Sequence, residues 1–327
     1  MYWLIGISML LVGAMLTAFV VSGALSLAWP VLERIARLCA SAREARFWLA
    51  VGIAPALAGM LASTLLVAPG YLMFEPRHSD ESIGWALTGL ALLSAAVLLS
   101  SILRAALILR QSARVSSLLR RAGRKVRFAT LAEAYELPET SRITTVIGVL
   151  RPTLFVSRAV LEALDRSELD SVMRHEQAHV VSRDNATALL LDVGCALSAN
   201  PMFARAVKSS WLEAVELAAD DSAARTSEEA LDLMSALVKF ARLPDDAAVV
   251  SGLGCSFLPK ATRLHLKRRV ENLQEIADGT PRSTAGPSRM LVLIWRLAIL
   301  TAIAALVAGA PLPMAWAHAA LEILVKL

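Results

Sequence analysis

The feature that most constrains this 327-residue chain is a set of four long stretches that are almost free of charged side chains. The stretches are residues 3–31, 47–74, 83–103 and 290–310, and only Arg296 interrupts the last one. A helix of about 20 apolar residues spans the hydrocarbon core of a bilayer, so the sequence predicts a multi-pass membrane protein with four transmembrane helices. A secretory signal is the alternative for the first stretch, but no Lys or Arg precedes it and its apolar run is too long.

Basic residues between the stretches indicate their orientation. Loop 32–46 carries four arginines and residues 110–127 carry seven basic residues, whereas loop 75–82 has one arginine against three acidic residues. Because short cytoplasmic loops accumulate Lys and Arg, we expect the N-terminus outside and residues 110–289 in the cytoplasm. These basic residues flank the predicted transmembrane stretches, and the net charge is only +5. We therefore expect no direct nucleic-acid partner.

The sequence therefore predicts three parts. Residues 1–109 hold three transmembrane helices, residues 110–289 form a cytoplasmic domain inserted before the last span, and residues 290–327 hold the fourth transmembrane helix and a short outside tail. The expected fold class is mainly α with a small β-sheet, because most of the insert has helical patterning and only a short part has the composition of strands.

The strand signals lie in the middle of the insert. Residues 143–150 and 153–156 are rich in β-branched side chains and are separated by Arg151 and Pro152, which predicts a hairpin or short strand pair. The basic segment 110–127 is expected to be helical. Further helices are predicted over residues 167–180, with a capping-box-like start at Ser167, and over residues 201–224 and 228–240.

One more apolar run, residues 186–199, has two interpretations. It contains Asp192 and is too short to cross a bilayer. A buried core helix and a segment that dips into the membrane both fit it. Asn200 and Pro201 end the run.

His175, Glu176 and His179 form an H-E-x-x-H motif in the first helix of this region. Residues four apart lie on one face of a helix, so both imidazoles can reach one ion while the glutamate faces its open position. Neutral imidazoles suit Zn²⁺, and the carboxylate would take a proton from a water molecule on the ion. The motif predicts one zinc ion, with His175 and His179 as ligands and Glu176 as the catalytic base.

A catalytic zinc ion needs a third protein ligand. The metzincin pattern is excluded, because Ser182 and Asn185 stand where it needs Gly and His. A gluzincin uses a Glu of a later helix, followed one turn on by a carboxylate that orients a ligand imidazole. Glu216 and Asp220 have this spacing, whereas Glu213 is followed at that distance by an apolar residue. We therefore favour Glu216 over Glu213 as the ligand, with Asp220 as the orienting carboxylate.

Over most of its length the chain resembles the BlaR/MecR-type integral-membrane zinc metallopeptidases. The resemblance lies in the order of the apolar stretches and in two segments, GVLRPTLFVSRAVLEALDRSELDSVMRHEQAHVVSRDN and NPMFARAVKSSWLEAVELAADDSAA. It implies an antirepressor of the gluzincin class, with zinc at His175, His179 and Glu216 and with Glu176 as general base. The implied activity is cleavage of a cytoplasmic protein such as a transcriptional repressor, or of the chain itself. We expect the family's C-terminal penicillin-binding sensor domain to be absent.

Two other interpretations remain open. HtpX-like and CAAX-prenyl-protease-like membrane peptidases share the H-E-x-x-H and Glu-x-x-x-Asp patterns, which would make the chain a quality-control or processing enzyme. A non-catalytic membrane signalling scaffold is the other. In the favoured interpretation the chain lies in the bacterial cytoplasmic (inner) membrane. Its expected partners are the lipid bilayer and a protein substrate. A homodimer is one option for its oligomeric state.

The expected substrate mode is an extended peptide that pairs with the strand over residues 143–150, which makes Ile143, Val146 and Gly148 candidate substrate-binding residues. His265 and Tyr135 are candidates for stabilising the oxyanion by residue type alone. Residues 279–288 have the composition of a flexible tether and are a candidate site of self-cleavage.

Overall fold

The computed structural model describes residues 2–75, 84–128, 131–138, 143–242, 263–279 and 311–326. Within these ranges the chain is mainly helical with one small mixed sheet, which confirms the predicted fold class. The predicted fourth span and most of the predicted tether, residues 280–288, lie outside the described residues.

Three helices are long and apolar enough to cross a membrane. They are α1 (Tyr2–Leu27), a second helix over Ser41–Phe74, and α5 (Trp85–Ala122). The second helix consists of α3 (Ser41–Ala62), a π-helical turn and α4 (Ala68–Phe74), and the short helix α2 (Trp29–Arg37) precedes it. At about 1.5 Å per residue, α5 is about 57 Å long, roughly twice the thickness of a hydrocarbon core. Its C-terminal half therefore extends beyond any membrane that its first half crosses.

The sheet has the strand order β1-β2-β4-β3. Its strands are β1 (Arg124–Phe128), β2 (Leu131–Leu137), β3 (Thr144–Ile147) and β4 (Thr153–Ser157). β3 and β4 are antiparallel, which confirms the predicted strand pair, and β2 and β4 are parallel.

The prediction of a helix over the basic segment 110–127 is correct to Ala122 and wrong beyond it. Gly123 ends α5, and the next five residues pair with β2. From Lys125 to Phe128 basic and apolar side chains alternate, the period of a half-exposed strand, but this short alternation lies within a run of basic residues.

Two sets of apolar residues cover the two faces of the sheet. On one face, Val115 of α5 packs with Ile143, Ile147 and Phe155. On the other face, strand residues such as Val146 pack against α6 (Arg158–Ala163), α7 (Arg166–Ser182), the C-terminal end of α9 (Pro201–Ala223), α10 (Ser227–Arg242) and α11 (Arg263–Ala277). Helix α8 (Asp184–Leu197) lies between α7 and α9 in the sequence, and α12 (Pro311–Lys326) packs against α1 through Leu321.

The start of α7 is a capping box built on Asp165. The side chain of Asp165 accepts a hydrogen bond from the backbone N–H of Glu168 (3.0 Å), and the Glu168 carboxylate accepts one from the Asp165 N–H (2.9 Å). The predicted start at Ser167 is therefore wrong by two residues, because Asp165 satisfies the free N–H groups of the first turn. Glu168 also accepts a hydrogen bond from Lys239 (2.5 Å), which joins α7 to α10.

The apolar run 186–199 forms most of α8 and packs against the second membrane-capable helix. Leu191 and Cys195 of α8 belong to one apolar cluster with Trp48 and Val51 of α3. Helix α9 joins the same cluster through residues that include Trp211. Helices α8 and α9 are therefore built directly onto α3, and α8 buries one face in this cluster.

Close approach of α1 and α3 depends on Gly59. A Cβ at this position would lie 2.3 Å from the carbonyl oxygen of Ala14, which belongs to the backbone of α1. Gly23 of α1 is a matched control, because a Cβ there meets nothing within 4 Å. We expect Gly59→Ala to lower the thermal unfolding midpoint of the detergent-solubilised protein, with overpacking costing about 1–3 kcal/mol. Gly23→Ala should not lower it. Equal midpoints for the two variants would contradict this packing.

Candidate metal centre

The two motif histidines lie on the buried face of α7. His175 and His179 are 7% and 8% exposed, and their Nε2 atoms are 3.2 Å apart. This separation follows from their spacing of about one helical turn, which places both imidazoles on one face of the helix. The structure therefore directs two metal-binding nitrogens at a common point.

Glu216 of α9 faces these nitrogens across the helix pair. Its Oε2 atom lies 3.7 Å from Nε2 of His175, and its Oε1 atom lies 3.8 Å from Nε2 of His179. One atom from each of the three residues lies within 4.8 Å of the other two, so the group could hold a metal ion. Two imidazole nitrogens and one carboxylate oxygen are the donor set of catalytic zinc sites. Glu213 points elsewhere and forms an ion pair with Arg268 (2.9 Å).

Each histidine has a buried carboxylate at its other ring nitrogen. Nδ1 of His175 lies 3.0 Å from Oδ1 of Asp220, as the spacing of Glu216 and Asp220 led us to expect. Nδ1 of His179 lies 2.7 Å from Oδ2 of Asp184. The contact of His179 has the geometry of a hydrogen bond, which favours the tautomer that leaves Nε2 free to bind a metal and fixes the orientation of the ring.

Asp184 is a site residue that sequence reasoning missed. Arg183 has a left-handed backbone (φ 54°), which ends α7 and begins α8 in a sharp turn. The turn returns Asp184 to His179, five residues earlier in the chain. The sequence does show a carboxylate directly after the motif helix. That carboxylate contacts His179 only because of the turn at Arg183, which the sequence does not predict.

Arg269 of α11 is the second missed residue, and it is also buried (8% exposed). Its guanidinium donates two hydrogen bonds to Asp220, of 2.8 and 2.7 Å, and lies 2.8 Å from Oε2 of Glu216. No spacing rule links Arg269 to the motif, because it lies in a different helix much later in the sequence.

Burial has the largest influence on the pKa of Glu176 and raises it above the usual value of a glutamate. The nearby charge of Glu216 also raises the pKa, and the two imidazoles oppose the shift. A carboxylate with a raised pKa is better suited to take up a proton and pass it on.

The carboxylates also change the titration of their partners. Burial lowers the pKa of His179, but the hydrogen bond to Asp184 and the charges of Glu216 and Glu176 outweigh it and raise the pKa to about 9. Positive charge between the imidazoles is thus strongly favoured. A divalent cation supplies that charge and releases the proton, as metal binding to histidine requires.

The candidate substrate-binding residues lie in or beside β3, an edge strand of the described sheet. Ile143 is paired to β4, because its carbonyl accepts a hydrogen bond from the Ser157 N–H (2.7 Å). The carbonyls of Val146 and Gly148 accept hydrogen bonds from the side chain of Asn185, of 3.0 and 3.1 Å. Asn185 follows Asp184 in α8, so this edge is joined to the histidine pair through consecutive residues.

Neither oxyanion candidate has a described place in the site. The ring of Tyr135 stacks on Phe155 on the side of the sheet that faces α5. The side chain of His265 lies outside the described part of the chain.

Taken together, the membrane-capable helices and the histidine pair opposite a helix-borne glutamate define a membrane protein with a candidate metal centre. The family model described as BlaR1 peptidase M56 matches residues 76–273, more than half of the chain. The chain belongs to this family of membrane-associated metallopeptidases, which confirms the resemblance seen in the sequence. Comparisons with curated proteins and with solved structures gave no match.

The carboxylate behind His179 gives a direct test of the site. We expect Asp184→Asn to lower the affinity for zinc about 10- to 100-fold, because the imidazole loses its orienting partner. Asp170→Asn is the matched control, since Asp170 is exposed on α7, the helix that carries His179. The measurement is competition with a chromogenic zinc chelator. Equal affinities in the two variants would show that Asp184 does not support a metal site.

Proposed function

We propose that the chain is a membrane-embedded zinc metalloendopeptidase that carries out regulatory proteolysis. The observation that supports this most strongly is the convergence of His175, His179 and Glu216, with Glu176 one residue from the first ligand. These residues would hold the zinc ion through Nε2 of each histidine and a carboxylate oxygen. When bound, zinc polarises the scissile carbonyl and lowers the pKa of the attacking water.

Glu176 is the proposed general base. Its carboxylate takes a proton from the water as the oxygen attacks the peptide carbonyl, and it then donates this proton to the leaving amine. The raised pKa of Glu176 serves both steps, because the residue must accept the proton and release it again. Asp220 and Asp184 hold the imidazoles in the tautomer that this arrangement needs.

We propose that the substrate binds as an extended strand along β3, which is an edge strand of the described sheet. Ile143 pairs with β4, so the alternation of an antiparallel ladder directs the backbone groups of Thr144 and Val146 outward. The carbonyl of Val146 already accepts a hydrogen bond from the side chain of Asn185. The N–H and C=O of Thr144 and the N–H of Val146 are therefore the groups that would hold the peptide backbone, between Ile143 and Gly148.

The position of the metal site relative to the membrane restricts the substrate. The basic segments of the sequence support a cytoplasmic orientation in the bacterial inner membrane, with the N-terminus outside. The proposed substrate is therefore a cytoplasmic protein, such as a transcriptional repressor, or the chain's own segment after Gly279.

Removal of the base separates metal binding from catalysis. We expect Glu176→Gln to retain one zinc ion per chain and to lose cleavage of fluorescein-labelled casein, because the amide cannot accept the proton. Glu216→Gln should lose both zinc and cleavage, because a charged ligand becomes neutral. Glu162→Gln, an exposed position on α6, should change neither. Cleavage by purified Glu176→Gln would rule out the assigned base.

A comparison in cells addresses the substrate. New protein N-termini are mapped by mass spectrometry in bacteria that express either the original chain or Glu176→Gln. We expect termini within a cytoplasmic DNA-binding protein, or within residues 279–288, only with the original chain. Termini spread over misfolded membrane proteins would favour a quality-control peptidase, and identical termini in both strains would favour a non-catalytic scaffold.

A further inference from the structure

Helix α11 contributes two consecutive arginines to different neighbours. Arg269 is directed towards the metal centre, where it contacts Glu216 and Asp220. Arg268 lies 2.9 Å from Oε1 of Glu213 and 3.3 Å from Oε2 of Glu44. Glu44 lies in the first turn of α3, the helix that continues into the membrane-capable segment, and it is only 5% exposed.

The contact with Arg269 makes the two oxygens of Glu216 unequal. A guanidinium nitrogen lies 2.8 Å from Oε2, which is also 3.7 Å from Nε2 of His175, whereas Oε1 lies 3.8 Å from Nε2 of His179. The ion pair with Arg269 draws electron density from Oε2, so Oε1 is the stronger donor to a metal ion. Arg269 therefore favours binding of the ion through Oε1 alone.

The same guanidinium also controls the other side of the site. Its second terminal nitrogen donates to Oδ1 of Asp220 (2.7 Å), the oxygen that lies 3.0 Å from Nδ1 of His175. One side chain therefore fixes one ligand directly and a second ligand through Asp220. The planar fork of an arginine can hold two carboxylates in this way, but the single ammonium group of a lysine cannot reproduce the geometry.

The buried location makes this arrangement demanding. Asp220 is fully buried, Arg269 is 8% exposed and the side chain of Glu216 is 13% exposed, so an unpaired charge among them is unfavourable. Arg268 has a corresponding role one residue earlier, because Glu44 is buried and has this guanidinium as its partner. Displacement of α3 relative to α9 would therefore separate Arg268 from buried Glu44 or from Glu213, which lies three residues before Glu216 on α9.

We propose that Arg269 is a positioning residue that limits Glu216 to one metal-facing oxygen, and that Arg268 connects this arrangement to the membrane helix through Glu44. The membrane segment is thereby mechanically coupled to the coordination of the metal. This proposal rests on the metal function proposed above, and the experiment distinguishes failure of the two.

The first test replaces the zinc ion with Co²⁺, whose visible absorption is more intense when it has four ligands than when it has five or six. We expect Arg269→Lys to weaken this absorption, because Glu216 can then bind through both oxygens, and to change the metal affinity about 10- to 100-fold. Arg205→Lys is the matched control, because Arg205 is exposed on α9, the helix that carries Glu216. The unfolding midpoint of each variant is recorded alongside.

The second test acts at a distance from the ligands. We expect Glu44→Gln to release Co²⁺ to a chelator about 2- to 30-fold faster than the unmodified chain does. Glu162→Gln should release it at the unmodified rate. This variant leaves Arg269 and all metal ligands in place, so it tests the connection to the membrane helix even if Arg269→Lys fails to fold.

The possible results distinguish the metal function, the positioning role of Arg269 and the connection to the membrane helix. If the unmodified chain binds neither Zn²⁺ nor Co²⁺, the proposed metal function is wrong. If it binds Co²⁺ but Arg269→Lys has the spectrum and affinity of Arg205→Lys, the positioning role is overturned while the metal function stands. If Glu44→Gln releases Co²⁺ at the rate of Glu162→Gln, the connection to the membrane helix is overturned.

Discussion

Compensation of buried charge determines how the helices around the histidine pair are arranged. His175 and His179 present their outer nitrogens to Asp220 and Asp184, and Glu216 faces their inner nitrogens. Two buried carboxylates and the largely buried Glu216 next to two imidazoles need positive charge, and a buried ion without a partner is strongly destabilising. Within the described residues, Arg269 supplies part of that charge, and a divalent metal ion would supply the rest. The contacts of α7, α8, α9 and α11 with one another follow from this requirement.

Local patterns predicted the parts of the site that depend on one helix at a time. The spacing of His175 and His179, and that of Glu216 and Asp220, follows from the period of an α-helix and needs no knowledge of the fold. The apolar stretches and the strand pair were similarly readable, because length and β-branched composition are local properties. The structure places these two helix faces opposite each other, as a three-ligand site requires.

The parts of the site and of the sheet that the sequence did not predict depend on turns, on distant contacts or on strands of unusual composition. Asp184 reaches His179 only because Arg183 adopts a left-handed conformation, and a non-glycine residue does so uncommonly. Arg269 enters the site from a helix 49 positions beyond Asp220, and nothing in the sequence specifies that pairing. Strand β1 was missed because its basic residues resemble those of a membrane-flanking segment, and β2 was missed because it has no β-branched residue.

A membrane-capable helix takes part in the packing around the candidate metal site. Helix α3 packs against α8 and α9 through a shared apolar cluster, and it meets α11 through the ion pair of buried Glu44 with partly exposed Arg268. A change in the tilt or position of this helix therefore has a route to the ligands that passes through packed side chains. That route gives a physical basis for regulation of a peptidase by events in the membrane.

X-ray absorption at the zinc edge of the purified, zinc-loaded chain tests the central claim most directly. The account predicts one zinc ion per chain whose spectrum shows two imidazole ligands and oxygen ligands, with no sulfur. A spectrum with sulfur ligands, one without imidazole, or a chain that holds no zinc would contradict the assignment of His175, His179 and Glu216 as a metal centre.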